Sequence, residues 1–130
     1  MLKPINPWTW QDALGFAQAV EATGTTRTVY LSGQASLGSS GEVLHAGDLP
    51  AQVTRSLDNL ETVLGAAGLR LQDVVRLNVY TTEPDRLLES WGLVASRLAA
   101  GNCRPACTYI GVARLAFPGL LVEFEATAVA

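Results

Sequence analysis

Glutamates and cysteines are the side chains of this sequence whose type and spacing could do chemistry. Glu123 and Glu125 lie two residues apart in a β-type pattern, so both would face the same side of a strand. A carboxylate in a partly buried cleft can steer water onto an electrophilic carbon or protonate a leaving amine. The Cys107 thiolate could attack such a carbon if a nearby cation lowered the thiol pKa. The candidate cations are Arg27, Arg104 and Arg114. The alternatives are a solvated strand face for the glutamates and a small buried side chain for Cys107.

Metal and cofactor chemistry are not predicted. The only histidine is His45, and together with Cys103 and Cys107 it falls short of a zinc site, which takes four ligands or three plus water. We expect both cysteines to be free thiols, as in a reducing compartment, and a disulfide between them is the less favoured alternative. The expectation is therefore no bound metal and no cofactor.

Length and composition predict one domain that spans residues 1–130. Apolar residues make up 48% and charged residues only 16%, so the chain folds and has little polar surface to keep it monomeric. Nine basic against twelve acidic residues give a net charge of −3, which argues against a nucleic-acid partner. Neither a membrane span nor a signal core is visible, so we expect a cytoplasmic protein without a membrane partner.

Hydrophobic periodicity predicts the elements of the first half of the chain. Residues Phe16–Ala22 and Thr28–Gln34 indicate two strands. Asp48 is a good N-cap for a helix that Gly68 ends. The buried stripe of this helix comprises Leu49, Val53, Leu57, Leu60, Leu64 and Ala67. The residues expected on its opposite face are Gln52, Arg55, Ser56, Asn59 and Thr62.

The second half alternates strands with one further helix. Residues Val74–Thr81 predict a strand with Val75, Leu77 and Val79 on one face and Arg76, Asn78 and Tyr80 on the other. A capping-box variant at Thr82–Asp85 opens a helix that Gly101 and Asn102 end. The stripe of this helix is Leu87, Trp91, Val94 and Leu98. Residues Ala106–Val112 and Leu120–Val129 predict the last two strands.

The resulting order is β-β-α-β-α-β-β, with hairpins expected at both ends. It predicts an α+β domain in which two helices pack on one face of a mixed sheet. The chain has no third helix to cover the other face, so association with further copies is the simplest cover.

Six short motifs, in order and at matching spacing, resemble the RidA/YjgF (Rid) family over nearly the whole chain. Gln18–Val20 is similar to the end of its early G-P-Y-S-Q-A motif, and Val29–Gln34 to its LYVSGQ strand. The helix from Gln52 to Gly68 resembles its Q…L.N…L..AG pattern. The remaining matches are Asp73–Arg76 to DVVK, Arg104–Ala106 to RPA, and Glu123–Val129 to EIEAIAV.

The resemblance implies a chorismate-mutase-like fold and a homotrimer with ligand clefts between subunits. The best-known members hydrolyse enamines and imines, such as 2-aminoacrylate, to a keto acid and ammonia. Their P-A-R-S motif carries an arginine that grips the substrate carboxylate, and the matching residue here is Cys107. The tyrosine and serine of the early motif are Phe16 and Ala17. The chain thus resembles a subgroup without the carboxylate-binding arginine.

The resemblance also assigns site residues. It implies that Glu123 positions or activates water and that Cys107 lies in the same site, so both are expected to be catalytic. Expected substrate-binding residues are Ser32, Gly33, Gln34, Phe16, Tyr109 and Arg104. The predicted function is hydrolysis of an imine or enamine with an altered substrate. The alternatives are a non-catalytic small-molecule binding or regulatory trimer, and a Cys107-dependent hydrolase of another electrophile.

Overall fold

The first long helix, α1 (Leu49–Ala66), begins and ends as its sequence predicts. The computed structural model describes all residues, 1–130. The Asp48 carboxylate accepts a hydrogen bond from the Ala51 N–H at 3.2 Å, and Gly68 follows the helix with a φ of +75°. Two residues expected on the opposite face, Gln52 and Ser56, are instead fully buried. The periodicity missed them because Gln52 is buried through hydrogen bonds to another segment of backbone, which hydropathy does not encode.

Six strands form two sheets, and their pairing differs from the hairpins expected at the two ends. The strands are β1 (Leu2–Ile5), β2 (Ala19–Ala22), β3 (Thr28–Ala35), β4 (Val74–Thr81), β5 (Ala106–Gly111) and β6 (Val122–Val129). The main sheet has the order β3-β6-β4-β5, in which only the β4–β5 pair is parallel. β2 pairs with β1, a strand that the sequence did not predict, and β6 inserts between β3 and β4.

The second predicted helix is two helices. α2 (Pro84–Glu89) and α3 (Trp91–Ala100) meet at Ser90, whose N–H bonds to carbonyls of α2. The expected capping box is absent, and the Thr81 hydroxyl instead accepts the Glu83 N–H at 3.0 Å. The mixed sheet with helices on one face confirms the α+β class. None of the helices is long and apolar enough to cross a membrane.

The hydrophobic core lies between the helices and one face of the main sheet. Residues of all three helices pack there against strand residues such as Leu77, Val79 and Phe124. A bulge between Val74 and Arg76 turns Val74 into the core, where Val75 was expected. The opposite face, hereafter the open face, has no helix on it and carries the polar side chains of β4 and β6. Its edge residue Tyr30 is 80% exposed.

Candidate functional site

A pocket of about 430 Å³ opens beside the edge strand β5. Its walls come from the turn before β2, from α2 and the start of α3, and from β5. The lining residues are Leu14, Phe16, Leu88, Trp91, Cys107, Thr108 and Tyr109. Because Cys107 and Tyr109 alternate along β5, both side chains project to the helix side, as their spacing predicts.

Hydrogen bonds hold the walls of this pocket in place. The Trp91 indole N–H donates to the Leu14 carbonyl at 2.9 Å, and the Tyr109 hydroxyl donates to the Pro84 carbonyl. The two rings also meet edge to face, with centroids 5.6 Å apart. The Ala17 N–H donates to the Pro105 carbonyl at 2.9 Å, which fastens the segment after Phe16 to the start of β5. The pocket is therefore preformed in the free chain.

The Cys107 thiol is the strongest potential nucleophile in the lining. Burial raises its pKa to about 11, and only a weak opposing effect comes from Arg76. Cys103 is a separate, buried thiol outside this pocket, and burial raises its pKa to about 12. Both side chains are therefore neutral at pH 7, and neither is part of a disulfide.

Glu123 lies on the open face, away from the pocket. In the sheet it is opposite Tyr80 on β4 and Ala35 on β3, and it packs against Gly33 so closely that a Cβ there would lie 1.5 Å from the Glu123 Oε1. Partial burial, and then the nearby Glu125 carboxylate, raise the pKa of Glu123 above its usual value. A carboxyl group with a raised pKa is suited to exchanging a proton near neutral pH.

Glu125 is fixed by two neighbours on β4. Its Oε1 accepts hydrogen bonds from the Asn78 amide at 2.9 Å and from the Tyr80 hydroxyl at 3.0 Å. The bond to Glu125 raises the pKa of Tyr80, because the neutral phenol is the donor. The Asn78 Oδ1 is buried without a partner, so this end of the amide remains free to accept a bond.

The predicted site residues fall into three places. Phe16, Cys107 and Tyr109 meet in the pocket, and Gly33 contacts Glu123. Ser32 and Gln34 lie nearby on β3, where the Gln34 side chain donates to the Ser32 carbonyl at 3.1 Å. Arg104 lies outside the lining, in an ion pair with Asp12, and donates to the Phe16 carbonyl at 3.3 Å. Because Cys107 and Glu123 project from opposite faces of the sheet, one chain does not bring them together.

Sequence reasoning missed four residues that line the pocket: Leu14, Leu88, Trp91 and Thr108. Trp91 was assigned to the core, where it does pack, and its ring also borders the pocket. Leu88 was detectable as an apolar residue directly after the stripe residue Leu87, and it is 59% exposed. No cluster of three or more His, Cys, Asp or Glu side chains could hold a metal ion.

Comparison with known proteins gives consistent matches over most of the chain. The family model described as Endoribonuclease L-PSP matches residues 11–130. A crystal structure of a Rid-family protein of unknown function, YyfB from Yersinia pestis, is 36% identical, with a TM-score of 0.87 over 99% of this chain and 98% of that one.

More distant matches agree. The YjgF structure from E. coli is 29% identical, with a TM-score of 0.70 over 88% of this chain and 87% of that one. The E. coli TdcF structure, which has bound serine, is 26% identical, with a TM-score of 0.71 over the same shares. A RutC family protein from Pyrococcus horikoshii is 29% identical over 127 residues, covering 97% of this chain and 89% of that protein.

Proposed function

Because the chain belongs to the Rid family, the family of the Endoribonuclease L-PSP model, we propose that it hydrolyses an imine or enamine of a small metabolite. Membership of this family supports a protein that acts on a small molecule. The observation that carries the proposal is the preformed pocket of about 430 Å³, which gathers three of the residues expected to contact substrate. This volume lies within the range of small-molecule sites.

A site that uses both Cys107 and Glu123 must be shared between two copies of the chain. The two side chains leave opposite faces of the sheet, so no movement of a side chain brings them together within one copy. In a homotrimer, the pocket of one subunit would meet the open face of the next. The uncovered open face and the free edge of β5 support this arrangement.

The reaction needs a proton acceptor for water and a proton for the departing nitrogen. In the proposed step the Glu123 carboxylate takes a proton from water as the oxygen bonds to the C=N carbon, and it passes this proton to the nitrogen to give a carbinolamine. The carbinolamine then loses ammonia to leave the carbonyl compound, so one imine and one water give one carbonyl and one ammonia. Its raised pKa suits Glu123 to accept this proton and then to return it.

Cys107 has the role of a neutral wall in this proposal. A thiol pKa of about 11 leaves roughly one thiol in ten thousand ionised at pH 7, which disfavours nucleophilic attack. The Cys107-dependent hydrolase is therefore the weaker alternative. A non-catalytic binding protein is the second candidate, and the serine bound to TdcF favours it. Ribonuclease activity gains no support from the net charge of −3.

The proposal is tested by following ammonia release from imines generated in situ. A panel that contains both 2-imino acids and uncharged imines covers both kinds of substrate. We expect turnover by the unmodified protein and a loss of about 100-fold or more in Glu123→Gln, the scale of a lost general base. Glu125→Gln is the matched control on the same strand face, and its rate should stay within about fivefold.

The pH profile gives a second readout. The carboxylate of Glu123 is the active form, so the rate should fall as pH drops through its pKa, which lies above the usual value for a glutamate. Glu123→Gln should lack this acidic limb. Absence of turnover across the panel, or a full rate in Glu123→Gln, contradicts imine hydrolysis by this residue.

A further inference from the structure

The pocket contains no charged side chain that could pair with a substrate carboxylate. None of its seven lining residues carries a charge, and the Cys107 thiol is neutral. Two nearby cations lie outside the lining. Arg104 pairs with Asp12, and Arg76 lies on the open face, where it donates to the Thr108 hydroxyl at 2.6 Å. A carboxylate held against this lining would lose part of its hydration without gaining an ion pair from the lining side chains, which is unfavourable.

The polar atoms of the lining side chains are also largely occupied. The indole N–H of Trp91 and the hydroxyl of Tyr109 both donate to backbone carbonyls, and the Thr108 hydroxyl points to the open face, where it accepts from Arg76. Cys107 retains only a weak S–H donor. The lining side chains thus offer a ligand little beyond apolar and aromatic contact.

Aromatic rings and exposed leucines continue this apolar character to the mouth of the pocket. Trp10 meets Phe16 edge to face, with ring centroids 5.9 Å apart. Leu88 is 59% exposed and Leu14 is 39% exposed at the rim. The volume of about 430 Å³ exceeds the cavity of about 150 Å³ that holds one benzene ring, so a substituted ring fits.

From these three observations we infer that the substrate is an uncharged imine with an aromatic or bulky apolar group, and that 2-imino carboxylates are rejected. The inference rests on the proposed hydrolysis for its chemistry and on the pocket lining for its selectivity. The imine nitrogen and the attacked carbon would lie at the open side of the pocket, where a neighbouring subunit could present Glu123. The ring would occupy the space between Phe16, Trp91 and Tyr109.

The test compares two imines that differ only at one substituent. Oxidation of phenylglycine by an amino-acid oxidase gives 2-imino-2-phenylacetate, and oxidation of 1-phenylethylamine by an amine oxidase gives the imine of acetophenone. The second compound replaces the carboxylate by a methyl group. We expect kcat/KM for the uncharged imine to be at least 20-fold higher. A higher value for the carboxylate imine overturns the inference while leaving hydrolysis intact.

A cation at the pocket mouth should reverse part of this preference. In Leu88→Arg we expect the ratio of kcat/KM for the uncharged imine to kcat/KM for the carboxylate imine to fall at least tenfold, because the guanidinium would pair with the carboxylate. The matched control is Leu93→Arg, which places the same charge on α3 at a leucine that is 44% exposed and outside the lining. The control should keep the original ratio, and an equal fall in both variants contradicts the role of this pocket.

Binding of the two products separates this inference from the proposed function. Quenching of tryptophan fluorescence can follow acetophenone and phenylglyoxylate, with Trp91 in the pocket wall as a reporter. Tighter binding of acetophenone without turnover of either imine would support the inferred selectivity of the pocket and contradict the proposed hydrolysis. Tighter binding of phenylglyoxylate, or no binding of either compound, would contradict the inferred selectivity.

Discussion

Gly33 is a glycine for reasons of space, and this links β3 to the candidate catalytic carboxylate. The side chain of Glu123 occupies the volume that a Cβ at this position would need, with Oε1 at 1.5 Å and Cγ at 2.7 Å from it. In this way the resemblance of residues 29–34 to the family strand acquires a physical meaning. The absence of a side chain at Gly33 on β3 leaves the space that the Glu123 side chain of the neighbouring strand β6 occupies.

Gly33→Ala should therefore act through Glu123. The displaced group is the flexible end of a side chain, so we expect the free energy of unfolding to change by less than about 1 kcal/mol. Imine turnover should fall as far as in Glu123→Ala, and the double variant should be no slower than either single variant. Kinetics of the three variants form a double-mutant cycle. Independent, multiplicative losses would contradict the contact.

At the level of elements, Gln52 connects helix α1 to the long segment between β5 and β6. Its side chain amide donates to the carbonyls of His45 and Gly119, at 3.0 and 2.7 Å, and its Oε1 accepts the Leu121 N–H at 2.8 Å. The segment of residues 112–121 leads directly into β6, the strand that carries Glu123. The buried Gln52 side chain thus holds in place the segment that leads into β6.

Gln52→Met should destabilise the fold strongly. The side chain keeps its volume, but three hydrogen bonds are lost and the Leu121 N–H is left without a partner, so we expect a cost of about 2–4 kcal/mol in the free energy of unfolding. Gln72→Met makes the same change at an exposed position and should stay within about 0.5 kcal/mol. Chemical denaturation of both variants measures the difference. Equal stability of the two would mean that water replaces the lost bonds.

Local signals predicted the elements better than their arrangement. Asp48 and Gly68 mark α1 because a cap is a contact between neighbours in sequence, and β4 was predicted with the bounds that it has. The insertion of β6 between β3 and β4 depends on pairing between distant segments, which periodicity does not contain. The same limit hid β1, the break at Ser90 and the burial of Gln52.

The candidate site followed a similar pattern. Alternation along β5 correctly put Cys107 and Tyr109 on one side, and the family motifs singled out Phe16. That Glu123 faces the other way requires the register of three strands, in which Glu123 aligns with Tyr80 and Cys107 with Leu77. No pattern within either strand contains that relation.

For the whole molecule, the open face is the feature that the single chain leaves unexplained. It presents a band of partly buried polar groups around Glu123 and Glu125, and the Asn78 Oδ1 within it has no hydrogen-bond partner. A buried acceptor without a donor is rare in folded proteins. A second copy of the chain could supply such a donor and would also complete a site that one copy divides between two faces.

We therefore expect a trimer in solution, with a mass of about 41 kDa for three chains of 13.8 kDa each. Static light scattering at micromolar concentration measures this directly, and a monomer mass contradicts the shared site. Thr127→Arg places a charge near the centre of the open face, on β6 between Tyr30 and Arg76. Burying that charge at an interface without a partner should shift the protein toward monomers.

Thr62→Arg is the matched control, because Thr62 is exposed on α1, which packs on the face of the sheet opposite the open face. It should keep the trimer mass and the imine turnover, whereas Thr127→Arg should lose both together, since a lone chain cannot bring Glu123 to the pocket. A Thr127→Arg protein that remains trimeric means that the subunits meet elsewhere. A monomeric variant with full turnover means that one chain suffices, and the catalytic group must then be sought among the residues of β5 and α3.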